Sequence, residues 1–406
     1  MRGEDEPGLR REIGLFEATV YGVGLILGAG IYAVLGEATG VTGESVVVSF
    51  LIAAVIASLT GLSYAELCSL YPKEEADYIY VREAFGSKKL SEATAVLRLL
   101  VGVISAAAVA LAFAGYFSSF VDIPRIPVAV SVVAATAYVN YRGIQLSSKL
   151  NLIFTSVEVA GLIFVVWIGR STWGDVDPLQ MTNGSVGVLK SAFLIFFAYI
   201  GFGSIVSISE ESKDATDTIP KAILASIGIT TVLYVLVGLS AVGVVDSQLL
   251  GASDSPLAVV ANQGWGPAAF TVISVIALFS TMNTVMILQI STSRLLYGVS
   301  KKEYDSFPEV FSKVHEDTRT PYVSVWSVGV MTAAFTVLGD IGIVAGLANL
   351  FLLIVFILIN LSLLSLRYRR PDIDRGFRAP LNIGRLSVTA LGGVVSCILL
   401  ILFYLV

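Results

Sequence analysis

Two long apolar stretches of this chain are punctured by small residues at their middles. Leu15 to Gly36 carries Gly28-Ala29-Gly30-Ile31-Tyr32, and Val188 to Ser209 carries Phe196-Phe197-Ala198-Tyr199-Ile200-Gly201-Phe202. A run of about 20 apolar residues crosses a bilayer as a helix. Hydrocarbon offers no water to a loosened backbone, so two helices interrupted at mid-depth make sense where the freed N–H and C=O groups hold a ligand. The competing reading of any one glycine is helix packing, because small residues let membrane helices approach closely. Gly22 and Gly24 read as packing, whereas Gly28 and Gly30, matched by the second interruption, read as a site.

The composition agrees with a membrane solvent: 55% of residues are hydrophobic, 14% are charged, and the mean hydropathy is +0.83. Eleven spans are expected, at roughly 14–36, 44–70, 95–120, 123–141, 150–169, 188–209, 221–245, 267–297, 322–339, 341–365 and 386–406. Gly339-Asp340 reads as a tight surface turn between two of them. Residues 1–13 carry charges of both signs and no small-residue cleavage site precedes the first span, so that span reads as a retained helix.

Lys and Arg flanking spans stay on the cytoplasmic side. A cytoplasmic N-terminus gathers Arg10, Arg11, Arg82, Lys88, Lys89, Arg142, Lys221, Lys301, Arg319 and the run from Arg367 to Arg385 on one side, and leaves little beyond Arg125 and Arg170 on the other. A multi-pass plasma-membrane protein with Val406 outside is expected. The spans divide into repeats 14–169 and 188–365, followed by a basic loop and extra helix over 366–406. Because five is odd, the second repeat enters the membrane from the opposite side. The expected fold is therefore all-α and polytopic, a five-plus-five inverted repeat with broken helices 1 and 6.

Several functions are disfavoured by inventory. A net charge of -5 argues against nucleic-acid binding. Cys68 and Cys397 offer no disulfide framework, and His315 has no companion ligands, so no metal or other cofactor is expected. No phosphate-cradling G-x-x-x-x-G-K-[ST] loop is present. An intramembrane enzyme lacks a cluster of His, Cys or paired aspartates at one depth, and a charge-ringed pore fits broken helices less well than a carrier.

A set of motifs in order along the chain carries a family resemblance. These are Gly28-Ala29-Gly30-Ile31-Tyr32, Tyr64-Ala65-Glu66-Leu67 with Pro72 and Tyr78-Ile79-Tyr80-Val81, Asn140-Tyr141-Arg142-Gly143, and Phe196 to Phe202 running into Glu210-Glu211. Ile219-Pro220-Lys221-Ala222-Ile223, Ser293-Arg294-Leu295-Leu296-Tyr297 and Arg378-Ala379-Pro380 complete it. Together they resemble the amino acid–polyamine–organocation transporters, in their cationic-amino-acid-transporter-like branch. The resemblance covers nearly the whole chain. Two departures stand out: Lys73-Glu74-Glu75-Ala76-Asp77 replaces a small-residue stretch, and most members have twelve spans.

The resemblance implies a zwitterion site at the two interruptions. The carboxylate would take backbone N–H groups of Ala29, Gly30 and Ile31 at the positive end of a half-helix, with Gly28 and Gly30 permitting close approach. The ammonium would bond carbonyls of Ile26, Phe197 and Ile200, next to Ala198, and Phe202 matches an aromatic that closes over substrate. Ser105, Ala106, Ala107 and Ala108 would leave room for a medium or large neutral side chain.

Glu158 lies inside an otherwise apolar span, where several relatives carry a lysine that takes the place of bound sodium. Here it either carries a proton, ligates a sodium ion with Ser280, Thr281 and Asn283, or is a structural protonated acid; it also makes a weak case for a cationic substrate. Glu66, with Tyr64 and Arg294, reads first as part of a solvated helix end and otherwise as a gate ion pair, and Arg98 reads as a snorkelling side chain. The leading expectation is a secondary amino acid permease, coupled to proton or sodium or working as an exchanger. The alternative is a membrane sensor or accessory subunit that binds an amino acid without transporting it.

Overall fold

The computed structural model describes residues 13–72, 76–301 and 307–405. The expected N-terminal segment up to Glu12 and the Lys73-Glu74-Glu75 departure lie outside the described residues.

Helices α1 (Leu15–Leu27) and α2 (Gly30–Thr42) are the two halves of the first apolar stretch, and a turn over Gly43–Ser45 leads into α3 (Val46–Leu70). Gly43 has a φ of +70°, and a Cβ there would strike Thr182. That turn needs glycine. The chain continues through α4 (Ala76–Phe85), α5 (Lys88–Ser118), α6 (Arg125–Arg142) and α7 (Ile144–Gly169). Then α8 (Gly184–Ile195) passes directly into a 3-10 helix over Phe196–Glu211. After it come α9 (Ala215–Val244), the short α10 (Ser247–Gly251) and α11 (Pro256–Trp265), α12 (Pro267–Val299), α13 (Tyr322–Thr336) and α14 (Ile341–Arg369). A two-residue hairpin pairs Asn382–Ile383 with Leu386–Ser387 ahead of α15 (Val388–Leu405).

The chain is an all-helical, polytopic membrane protein. Helix occupies each of the segments expected to span, and eight helical segments among the described residues are long and apolar enough to cross a membrane. The Gly30–Leu70 segment counts as one of these, while α1 and α13 are shorter apolar helices. The Gly339-Asp340 corner forms as expected. Gly339 has a φ of +75°, and Asp340 caps α14 by accepting the Ile343 N–H at 2.8 Å.

Two packing groups organise the bundle. Helices α1, α3 and α9 pack together with the 3-10 segment, and α5, α6, α12 and α13 pack together beside them. α14 bridges the groups through α5, α4 and α3. At one end the segment from α10 to Asp254 closes against α2 and α5 by small-residue contacts. A Cβ on Gly36 would lie 2.8 Å from the Leu250 carbonyl, one on Gly40 would lie 3.0 Å from Gly251 Cα, and one on Gly115 would lie 2.8 Å from the Asp254 carbonyl. Glycine is required there because backbone meets backbone.

Near the other end the reading of Glu66 as solvated is overturned. Glu66 is fully buried and pairs with Arg367, whose Nε donates at 2.9 Å and whose Nη2 also contacts the carboxylate. Arg375 Nε lies 3.1 Å away, and the Ala379 N–H donates at 2.8 Å. A buried carboxylate needs such partners. They come from the last turn of α14 and the segment after it, which the spacing of Glu66 along its own helix cannot reveal. Cys68 and Cys397 are buried and are not joined in a disulfide.

Candidate functional site

The first interruption is two residues long. α1 stops at Leu27, Gly28 and Ala29 leave the helix, and α2 restarts at Gly30. The Ala29 N–H donates to Thr284 Oγ1 at 2.7 Å. The next N–H groups, on Gly30 and Ile31, open α2 and have no carbonyl a turn earlier in their own helix. Gly30 is held against the second interruption: an added Cβ would sit 2.7 Å from Ala198 Cα.

The second interruption is longer. From Phe196 to Glu211 the backbone winds as 3-10 helix, far beyond the three or four residues usual for that geometry. It crosses α1 closely, and a Cβ on Gly201 would collide with the Leu25 carbonyl.

One side chain ties the interruptions together. The Tyr234 hydroxyl, on α9, lies 2.8 Å from the Ile26 carbonyl, 3.0 Å from that of Leu27 and 3.1 Å from that of Ala198. A phenol has a single proton, so three acceptors share one donor. Sequence reading missed both Tyr234 and Thr284. The signals were available: a lone tyrosine deep in an apolar helix needs a partner for its hydroxyl, and Thr284 stands four residues after Ser280, on the same helix face.

A cavity of about 550 Å³ begins at these interruptions. Ile26, Gly28, Gly30, Phe197, Ala198 and Ile200 line it, together with Ser105, Val109 and Thr284. It runs between α1 and the 3-10 segment on one side and α5 and α12 on the other, and it ends at the exposed Ser291 and Arg294. The cavity therefore reaches the surface at the end opposite the glycine seal.

The remaining expected site residues lie elsewhere. Ala29 and Ile31 are buried in the backbone of the first interruption, off the cavity wall. Phe202 is fully buried against Tyr64 and Phe356, with ring centroids 6.0 and 5.1 Å apart, and is absent from the wall. Ala106, Ala107 and Ala108 pack in the core, so of that group Ser105 alone faces the cavity.

Glu158, on α7, is 1% exposed and also off the wall. The Ser280 hydroxyl lies beside it, yet neither carboxylate oxygen makes a well-directed hydrogen bond among the described residues. Thr281 spends its hydroxyl on its own helix, at 2.6 Å from the Ala277 carbonyl, and Asn283 Nδ2 donates to Thr155 Oγ1 at 3.3 Å.

Arg98 does not snorkel freely. Its Nε is 3.1 Å from Asp77 Oδ2, its Nη2 donates to Ser204 Oγ at 3.2 Å, and Asp77 Oδ1 accepts the Tyr64 hydroxyl at 2.5 Å. Arg98 and Asp77 both line the cavity on the way to its mouth.

Comparison with known proteins completes the description. A family model described as amino acid permease matches residues 13–406. The branched-chain amino acid permease BcaP of Bacillus subtilis is 30% identical, covering 92% of this chain and 85% of its own. A methylthioribose transporter of the same organism is 28% identical over 92% of this chain and 84% of its own. Cationic amino acid transporter 7, chloroplastic, of Arabidopsis thaliana is 27% identical over 89% and 66%.

Proposed function

The chain belongs to the amino acid permease family, and on that premise we propose that it is a secondary active carrier moving an amino acid by alternating access. The observation that carries this reading is a cavity that starts at both helix interruptions and reaches one end of the bundle, while the other end is sealed backbone on backbone. A carrier must expose its site to one side at a time. The proposal includes the eleven spans, the two inverted repeats 14–169 and 188–365, a plasma-membrane location and a cytoplasmic N-terminus. On that orientation the cavity opens inward.

The substrate carboxylate sits at the N-terminus of α2, on the N–H groups of Gly30 and Ile31, with Ala29 joining when Thr284 yields. The ammonium sits at the carbonyls of Phe197 and Ile200. The Ile26 carbonyl, already held by Tyr234, is added when that phenol turns away. Phe202 closes over substrate only after leaving its packing against Tyr64 and Phe356. Glu158 with Ser280 is the coupling group, holding a proton or a sodium ion, because a buried acid without directed partners is stable only when neutral or paired. Thr281 is the weaker member of that set. Exchange of one amino acid for another remains compatible with the same site.

Uptake of labelled amino acids into sealed proteoliposomes tests the reading. Zwitterionic amino acids should compete, and their methyl esters and N-acetyl derivatives should compete at least about 100-fold less well, since each leaves buried polar groups unpaired. Equal competition removes the backbone clamp. Binding without uptake replaces the carrier by a sensor.

A further inference from the structure

We infer that the cargo is a neutral amino acid with an aliphatic side chain, and that Arg98 sets this choice by occupying the carboxylate of Asp77. The inference rests on the proposed function and names the substrate class of the same site.

The charged residues that line the cavity, among those described, are Asp77, Arg98 and Arg294. Both oxygens of Asp77 are engaged, one by Arg98 and the other by the Tyr64 hydroxyl. The wall therefore offers one compensated carboxylate against two guanidiniums. Glu158, the one acid that sequence reading offered to a cationic side chain, is buried behind the interruptions and does not reach the cavity. A lysine or arginine side chain would leave water for a wall whose described charged residues are two guanidiniums and one carboxylate already engaged. Transfer of that kind is strongly unfavourable. An aliphatic side chain instead meets Val101, Val109, Ile200, Ile287 and Leu288, where burial of apolar area favours it.

The Arg98–Asp77 pair makes the choice reversible by mutation. Removing the guanidinium leaves Asp77 without its counter-charge on the substrate's path, held only by the Tyr64 hydroxyl and a ready partner for a cationic side chain. A residue that merely props the fold would change the binding of every amino acid alike; a selector changes their ratio.

The experiment is competition by leucine, valine, lysine and arginine against uptake of labelled leucine in proteoliposomes, with direct binding of each by the detergent-purified protein. In the wild-type protein, leucine should bind at least about 100-fold more tightly than lysine. Arg98→Gln should shift the lysine-to-leucine ratio toward lysine by tenfold or more, and Arg98→Lys, which keeps the charge, should leave the ratio near wild type. Lysine or arginine binding as well as leucine in the wild-type protein overturns the inference, whatever the variants do. So does an unchanged ratio in a folded Arg98→Gln protein. If no amino acid binds at all, the proposed function has failed instead.

Discussion

At the first interruption only Gly28 and Ala29 leave the helix, and much of what is freed is already held, the Ala29 N–H by Thr284 and the Ile26 and Leu27 carbonyls by Tyr234, which leaves the Gly30 and Ile31 N–H groups that open α2. At the second, sixteen residues wind as 3-10 helix, and Tyr234 reaches just the Ala198 carbonyl at its start. Similar small-residue signatures thus produce a short pinned joint and a long loosened one. The difference teaches where motion is stored. A 3-10 run has poorer hydrogen-bond geometry than an α-helix and marks strain or a hinge. The second helix is therefore the one expected to change length and direction in the cycle, with the first as its anchor.

The most disruptive test of that contrast strikes the place where the interruptions touch. Gly30→Leu drives a side chain into the Ala198 backbone and into the carboxylate's approach, and should abolish binding while the protein still reaches the membrane; ligand binding by the purified variant decides it. Wild-type affinity would reduce the first joint to helix packing.

A smaller effect follows from loosening both joints at once. Tyr234→Phe removes the one proton shared by three carbonyls, so uptake should fall by about 5- to 30-fold, on the basis of about 1–2 kcal/mol for an unmade buried hydrogen bond. Thr284→Val touches the first joint alone and should weaken binding by only about fivefold. If Thr284→Val proves the more damaging of the two, the anchor lies in the N–H of Ala29 and not in the tyrosine.

Glu158 separates coupling from the joints themselves. Glu158→Gln keeps the shape and should leave affinity within about threefold while flattening the dependence of uptake on an imposed proton or sodium gradient. Glu158→Lys should differ in kind, placing a permanent ammonium where the ion would sit. Uptake measured under each gradient separately reads both, and an unaltered gradient response in Glu158→Gln returns the residue to a structural role.

The all-helical, polytopic class was legible because hydrocarbon length constrains a membrane chain more tightly than packing constrains a soluble one. The interruptions were legible because Gly28, Gly30 and Gly201 leave the same trace in sequence whether a joint is tight or long. Its length was not, since nothing in Phe196 to Phe202 distinguishes a brief break from extended 3-10 winding. Pairings across the fold were the least accessible. Tyr234 with Ile26, Arg98 with Asp77 and Glu66 with Arg367 join different elements, and each residue viewed on its own helix suggests packing, snorkelling or a solvated end.

The Glu66 cluster also ties an early helix to the late part of the chain. Glu66 and Arg367 are 301 residues apart in the chain, and Arg375 and Ala379 lie beyond α14. Every earlier helix is therefore made before the acid on α3 meets its counter-charge. A nascent chain that stops short of Arg367 presents an uncompensated carboxylate in a buried position, a defect worth about 3–5 kcal/mol when one partner of such a pair is missing. The same clasp ties the third helix to the far end of the chain, so a product truncated before Arg367 should be less stable in the membrane than the full-length protein.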